Sequence, residues 1–393
     1  MQSTIKRRPL GNTGLNVTEI SWGAMNVRRL PDEQAAIQLA NEVLDKGVNL
    51  IDTARGYESK DENGNVVMAS EIILGKAISA RTDLDEPIVI VTKGHAYTPE
   101  DFDRSLTESW ERLQIREEGG KLFIGSTQIF LAYFLHGIME DRWKTITTSG
   151  TLEHAAKRRE EGRCHFLGFS SHYGDSVVIK EAIETGIFQL CELSYNVYNP
   201  SLGEEGDPDI IKLANEHGMG VVNMKAFNGG GTVAIFKQLE DITGITHGDM
   251  ARFSLSNPYI SCIDAGVRAI EELEVDIEAS LLPVMTPDER SALREKAKKI
   301  SPFLNVICRE CLHCVEKFEC PQGIDFPHIL GMHGRYSVSK SLGLDTTGYK
   351  DEYAKFSPDA SACVACGNCN EWCEYHLNVP EMMATAAKDF GGA

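Results

Sequence analysis

Residues 88–113 read Ile88-Val-Ile-Val-Thr-Lys93-Gly-His-Ala-Tyr-Thr98-Pro99-Glu100-Asp101-Phe102-Asp-Arg-Ser-Leu106-Thr-Glu-Ser-Trp110-Glu-Arg-Leu113. The run is one strand followed by one helix. Five consecutive β-branched residues closed by Lys-Gly make a short buried strand. Thr98 then stands at a helix N-cap, Pro99 at the first helical position and an acid at the third. Beyond it, Phe102, Leu106, Trp110 and Leu113 recur on one helical face. The same start recurs in Thr286-Pro287-Asp288-Glu289, ahead of a polar helix carrying Leu293 and Ala297 and ending near Ile300.

Outward from this unit, apolar runs alternate with polar-faced stretches. The expected strands are Glu19–Met25, Val48–Asp52, Ile88–Lys93, Ile129–His136, Cys164–Ser170, Phe188–Tyr195, Gly220–Lys225 and Ser261–Ala265. Eight such units in roughly 270 residues predict an α/β fold, the (β/α)8 TIM barrel. Pro9 to Val17, with Gly11-Asn-Thr-Gly14, reads as a hairpin ahead of the first strand. Gly119–Thr127 shows no period, reads as an insertion, and is expected to lie against His136 and reshape a pocket there.

Composition narrows the function classes. The chain has 393 residues, 42% of them hydrophobic, enough for a sizeable core. Lysine and arginine number 39 against 58 acidic residues, a net charge of −19, which argues against nucleic acid or an anionic membrane as partner. No apolar run approaches the ~20 residues of a membrane helix. Arg7-Arg8 is followed by Pro9-Leu10-Gly11-Asn12 rather than an apolar stretch, so a cytoplasmic location is expected.

Cysteine usage is concentrated near the C-terminus. One run reads Cys308-x2-Cys311-x2-Cys314-x5-Cys320-Pro321, the other Cys363-x2-Cys366-x2-Cys369-x3-Cys373. The bacterial ferredoxin run is C-x2-C-x2-C-x3-C-P, with its fourth cysteine serving the other cluster in two-cluster proteins. Two 4Fe-4S clusters are the reading, with crossed ligation: Cys308, Cys311 and Cys314 with Cys373, and Cys363, Cys366 and Cys369 with Cys320. Structural zinc knuckles are the alternative, although zinc sites usually pair two-cysteine hooks rather than three evenly spaced thiols. Cys164, Cys191 and Cys262 lie in apolar runs and read as buried thiols.

Chemistry in a (β/α)8 barrel sits at the C-terminal strand ends. Asp52 ends strand two, Lys93 strand three and His136 strand four, with Tyr57 in the loop after strand two. Each alone has an ordinary explanation: a loop cap, a solvated cation, a structural histidine, a loop aromatic. Together, an acid, a lysine, a tyrosine and a histidine at consecutive strand ends suit proton transfer.

Several segments resemble the aldo/keto reductase superfamily: Leu10-Gly-Asn-Thr-Gly-Leu15, Trp22-Gly23, Asp52-Thr53-Ala54 with Gly56-Tyr57, Thr92-Lys93, Leu135-His136-Gly137, Gly162-x5-Gly168-Phe-Ser170 and Tyr195-Asn196. The resemblance runs over nearly all of residues 5–285. With the tail it extends to the subgroup with a C-terminal, mostly helical ferredoxin-like domain carrying two 4Fe-4S clusters. It implies a barrel domain over 1–285, and an iron–sulfur domain with its linking helix over 286–393. It also implies a catalytic tetrad of Asp52, Tyr57, Lys93 and His136, reducing an aldehyde or ketone, or oxidising an alcohol, with NADP or NAD.

Tyr57 would donate the proton, its pKa lowered by Lys93. Asp52 would hold Lys93 charged, and His136 would orient the substrate oxygen. Ser170, Ser171, Glu192, Asn196 and Gly266 fall at positions near the nicotinamide and adenine. Glu192 stands where many members have Gln, Ser171 where many have Asn, and Val275-Asp276 where Glu-Asn is common, which leaves NADP or NAD open. Gly229-Gly230-Gly231 would let backbone approach a pyrophosphate or simply form a flexible loop. Lys225 and Arg268 are cations for phosphates or ordinary surface charges. A ferredoxin-like electron-transfer partner is implied if the clusters carry electrons; the alternative is that they staple the fold. A non-catalytic redox-sensing or electron-transfer subunit, with the barrel as scaffold, is the competing class.

Overall fold

The computed structural model describes residues 5–391 apart from 62, 173–174, 228–239, 241–242, 300–306, 309, 311, 313, 316–317, 374 and 376. Eight strands close into a parallel barrel: β1 (Ile20–Gly23), β2 (Leu50–Asp52), β3 (Ile88–Gly94), β4 (Thr127–Leu135), β5 (Phe166–Ser171), β6 (Leu190–Ser194), β7 (Gly220–Met224) and β8 (Cys262–Ala265). Each pairs with its sequence neighbour, β8 pairs with β1, and β4 pairs with β5, so no edge is left open. All eight expected strands are present, each within a few residues of its expected ends.

The helix Pro99–Arg112 begins where its cap predicts, with Thr98 Oγ accepting the Asp101 N–H. Its Phe102 and Leu106 are buried, and Leu113 closes the same face. The hairpin ahead of β1 pairs Arg7–Pro9 with Asn16–Thr18. It stoppers the N-terminal end of the barrel. Leu10 and Val17 join Leu50, Val89, Val91, Ala132, Phe134, Leu190, Val222 and Cys262 in one apolar cluster.

That cluster positions the chemistry. Side chains alternate along a strand with period two. The residue two further on from Leu50 is Asp52, from Val91 Lys93, from Phe134 His136, from Leu190 Glu192 and from Cys262 Asp264. Five polar groups therefore stand one layer above the apolar filling.

Residues 115–124 correct one expectation. They form a hairpin, Ile115–Glu118 with Lys121–Ile124, and the second strand pairs antiparallel with the start of β4. Gly119 and Gly120 have φ of +61° and +76°, the left-handed pair a tight hairpin turn requires. Thr127 is at the N-terminal end of β4 while His136 follows its C-terminal end. The segment lies at the opposite end of the strand from His136 and does not shape a pocket there.

Contact density divides the chain into two compact units: Met1–Asn196, Pro200–Ala226 and Gly248–Met285 in one, and Val197–Asn199, Phe227–His247 and Thr286–Ala393 in the other. The second contains the helices Pro287–Lys298, Phe326–Ser341, Tyr349–Tyr353 and Val379–Phe390. Thr286 and Glu289 form the expected capping box. Its core is built from Phe326, Ile329, Leu330, Tyr353, Met383 and Phe390, with the tail cysteines packed around it. Among the described residues no helix is long and apolar enough to cross a membrane.

Phe134 is fully buried in the layer beneath the polar groups. Phe134→Ala should cost about 3–5 kcal/mol, read as a lower urea midpoint for the barrel.

Candidate active site and thiol pockets

Lys93 is 0% exposed. Its ammonium contacts Asp52 Oδ2, and Glu192 Oε2 lies 2.9 Å away on the other side. A buried charge is tolerated only when paired, and here two strands supply the partners. Burial pulls the Lys93 pKa down, yet Asp52, Glu192, Tyr57 and Asp264 together lift it well above its ordinary value. The lysine therefore stays an ammonium.

Tyr57 and His136 complete the group. Lys93 Nζ is 5.5 Å from the centre of the Tyr57 ring. The Tyr57 and His136 rings meet edge to face, 5.9 Å between centres. The four residues of the expected tetrad thus converge at one barrel end. One expectation about them fails: burial raises the Tyr57 phenol well above its ordinary value, and Asp52, Glu192 and Asp264 raise it further. Lys93 pulls the other way and is outweighed.

The loop carrying Tyr57 is held on both flanks. Arg55 N–H donates to Lys93 O at 3.0 Å, and Tyr57 O accepts the Ser70 N–H at 2.9 Å. Arg112, from the end of helix Pro99–Arg112, donates to Arg55 O at 2.9 Å and meets Glu58 at 2.9 Å. Buried Glu71 accepts from Thr92 at 2.6 Å and lies 4.0 Å from Arg112.

Several groups at this end lie outside the sequence expectation. His95 stacks on His136, 4.6 Å between ring centres and 5° from parallel. Tyr97 OH lies 2.7 Å from His95 Nδ1 and donates to His136 O at 3.0 Å. His172 tilts against His136 at 6.0 Å. Asp264 joins Asp52 and Glu192, their nearest carboxylate oxygens all within 4.8 Å of one another. At an effective dielectric of ~20, two charges 4.8 Å apart repel by about 3–4 kcal/mol. Gly23 makes room for this group, since a Cβ there would stand 2.6 Å from Asp264 Oδ2. Asp264 is the last residue but one of the eighth strand, as Lys93 is of the third.

The expected cofactor residues occupy the same barrel end without forming one cluster. Ser170 Oγ accepts the Gly137 N–H at 2.9 Å, and Ser171 Oγ donates to Ile138 O at 3.3 Å. Asn196 Nδ2 donates to Lys225 O at 3.0 Å, with Lys225 at a φ of +61°. Gly266 O accepts from Asn26 at 2.7 Å. Arg268 is exposed, its backbone N–H on Glu272, just ahead of helix Ile270–Leu281. Glu192 is turned onto Lys93. Gly229, Gly230 and Gly231 lie outside the described residues.

In the second unit, Cys308, Cys314 and Cys373 line one cavity with Phe326, Leu330 and Leu377. Cys320, Cys363, Cys366 and Cys369 line another with Phe318, Ile324 and Met383. Burial pushes the Cys369 thiol up to about 11, with Cys366, Cys363 and Cys320 adding to it. Cys311 lies outside the described residues. Cys164 and Cys262 are buried in the barrel, both pushed up to about 12 by burial, and Cys191 is raised likewise.

The sequence matches the aldo/keto reductase family over residues 19–274. The chain belongs to the aldo/keto reductase family. Members use NAD(P)H generally, and the chain is an NAD(P)-dependent oxidoreductase of this kind. L-Galactose dehydrogenase of Arabidopsis thaliana is 22% identical over 348 residues, 79% of this chain and 98% of that enzyme. The 6-dehydroglucose reductase of Novosphingobium aromaticivorans is 32% identical over 103 residues; the match covers 25% of this chain and 32% of that enzyme, about a third of its length. Among solved structures, an aldo-keto reductase from Bacillus halodurans in its holo form superposes with a TM-score of 0.58 at 22% identity, covering 74% of this chain and 96% of that one. At that identity the likeness speaks to the fold.

Arg112 grips both flanks of Tyr57, so Arg112→Met should leave the barrel folded by circular dichroism. Small misplacement of a reacting group is costly, and kcat/KM for carbonyl reduction should fall about tenfold to a hundredfold.

Proposed function

We propose that the chain is an NAD(P)H-linked reductase of an aldehyde or ketone, with Tyr57 as the proton donor. The supporting observation is the Lys93 ammonium, buried on Asp52 and Glu192, beside a Tyr57 ring that His136 meets edge-on. A carbonyl oxygen entering at this end meets the Tyr57 hydroxyl and the His136 ring. Tyr57 gives its proton to the oxygen as charge builds there, and Lys93 stabilises the phenolate left behind. His136, held between His95 and His172 and bonded through its carbonyl to Tyr97, orients the oxygen.

A general acid must hold its proton until the reaction needs it, and burial with three nearby carboxyls does that here.

NAD(P)H, when bound, supplies the hydride. The donor set suits its carboxamide: Ser170 accepts one N–H and keeps its own hydroxyl proton to give, and Ser171 and Asn196 stand on neighbouring strand ends. Lys225, Gly266 and Arg268 are assigned to the phosphates and adenine side.

Residues 286–393 are assigned as a ferredoxin-like domain with two 4Fe-4S clusters. The donors suit cubanes. Two apolar cavities each gather thiols, and the fourth cysteine of each run lines the cavity of the other. Exposed Val364 and Trp372 beside the second run suit contact with a ferredoxin-like electron carrier.

Tyr57→Phe should abolish carbonyl reduction, a loss of about 10²–10⁴-fold, with NAD(P)H affinity nearly unchanged by fluorescence titration. Lys93→Met should approach the same loss. Wild-type turnover in Tyr57→Phe would remove Tyr57 as the donor and move the chemistry away from this barrel mouth, toward the clusters. Independently, anaerobically purified protein should be brown and carry about eight irons per chain; zinc in fully loaded protein would remove the clusters from the proposal without touching the barrel chemistry.

A further inference from the structure

The barrel mouth holds more acid than its one ammonium neutralises. Asp52 from β2, Glu192 from β6 and Asp264 from β8 bring oxygens within 4.8 Å of one another around Lys93 from β3. Glu192 is 3% exposed, and its Oε2 faces Lys93 without an aligned hydrogen bond. The other groups facing the cluster are Tyr57 from the loop after β2, the Ser21 hydroxyl from β1, 3.4 Å from Asp264 Oδ1, and Cys262 beneath Asp264. His136, just after β4, meets Tyr57 edge to face. Three ionised carboxylates this close would strongly repel.

We propose that Asp52, Glu192 and Asp264 keep one proton among them at neutral pH, and that its loss at higher pH holds the proton on Tyr57. Glu192 and Asp264 are then positioning residues acting through Lys93 and Tyr57, an assignment that rests on Tyr57 being the proton donor. Burial, then the Glu192 charge, pushes Asp264 up to about 7, against the pull of Lys93. Cys262 stays neutral through this range and adds no charge.

The sign follows. As pH rises through neutrality the cluster gains one negative charge. A negative charge beside a phenol favours its neutral form, so Tyr57 keeps its proton further into the alkaline range. The three carboxyls thus compensate for the alkalinity that would otherwise strip the donor.

Infrared difference spectra of the full-length chain, taken below and above neutrality, test this without turnover. Wild type should show a protonated-carboxyl stretch that disappears on crossing neutrality. Asp264→Asn and Glu192→Gln keep side-chain size and relieve the repulsion, so that band should vanish in each. In the same variants the alkaline limb of kcat/KM for carbonyl reduction should move about one pH unit down, a tenfold change in Tyr57 ionisation at fixed pH. A wild-type band and an unmoved limb in both variants would overturn the proposal. Tyr57→Phe separates the two readings. If it turns over normally, the donor assignment falls while the infrared band still reports the shared proton. If it is inactive and the band survives both substitutions, only the shared proton falls.

Discussion

The buried ammonium of Lys93 is the constraint on which the site depends. A lysine with no exposure exacts a large desolvation cost unless carboxylates meet it. Asp52 meets it from the adjacent strand and Glu192 from across the barrel. This pairing exists only in the closed barrel, because β2, β3 and β6 come together only when the eight strands form a ring. Losing one partner of a buried pair typically costs about 3–5 kcal/mol. Stability and chemistry are therefore coupled at one atom, Lys93 Nζ.

Around that atom the order of events is set by alternation along the strands. The apolar layer of Leu50, Val91, Phe134, Leu190 and Cys262 is fully buried and closed from below by the Leu10–Val17 hairpin. The next layer is Asp52, Lys93, His136, Glu192 and Asp264. A low-dielectric floor beneath a polar layer strengthens every charge interaction in it. It is also why the tyrosine is held protonated although a lysine stands beside it. Sequence logic sees the neighbouring cation but not the two acids delivered by β6 and β8, which face the same lysine only after closure.

What the sequence revealed and what it hid divide along the same line. Local signals read correctly: the Thr98 and Thr286 caps, the eight strands, and the acid, lysine and histidine at consecutive strand ends. Non-local relations were harder. Position in the family pattern points Glu192 at a cofactor, and only the folded register turns it onto Lys93. Asp264, one residue short of the end of its strand, has no motif around it to single it out. The Gly119-Gly120 pair is a hairpin signal in its own right, flanked by Glu118 and Lys121. Reading it would have placed the segment at the start of β4, away from His136. Arg112 gave no signal, since its role depends on a helix end meeting the loop after β2.

The tail shows how spacing becomes three-dimensional. In the sequence each run spaces its first three cysteines at x2 intervals. The fourth cysteine lies past a short connection, Cys320 ahead of helix Phe326–Ser341 and Cys373 ahead of helix Val379–Phe390. Those helices pack against each other through Leu330, Met383 and Phe390 in one small core. Cys373 lines a cavity with Cys308 and Cys314, and Cys320 lines one with Cys363, Cys366 and Cys369, so each fourth thiol stands with the opposite run. Past Cys320 the chain turns at once, the Gly323 N–H bonding back to Cys320 O at 2.8 Å ahead of helix Phe326–Ser341.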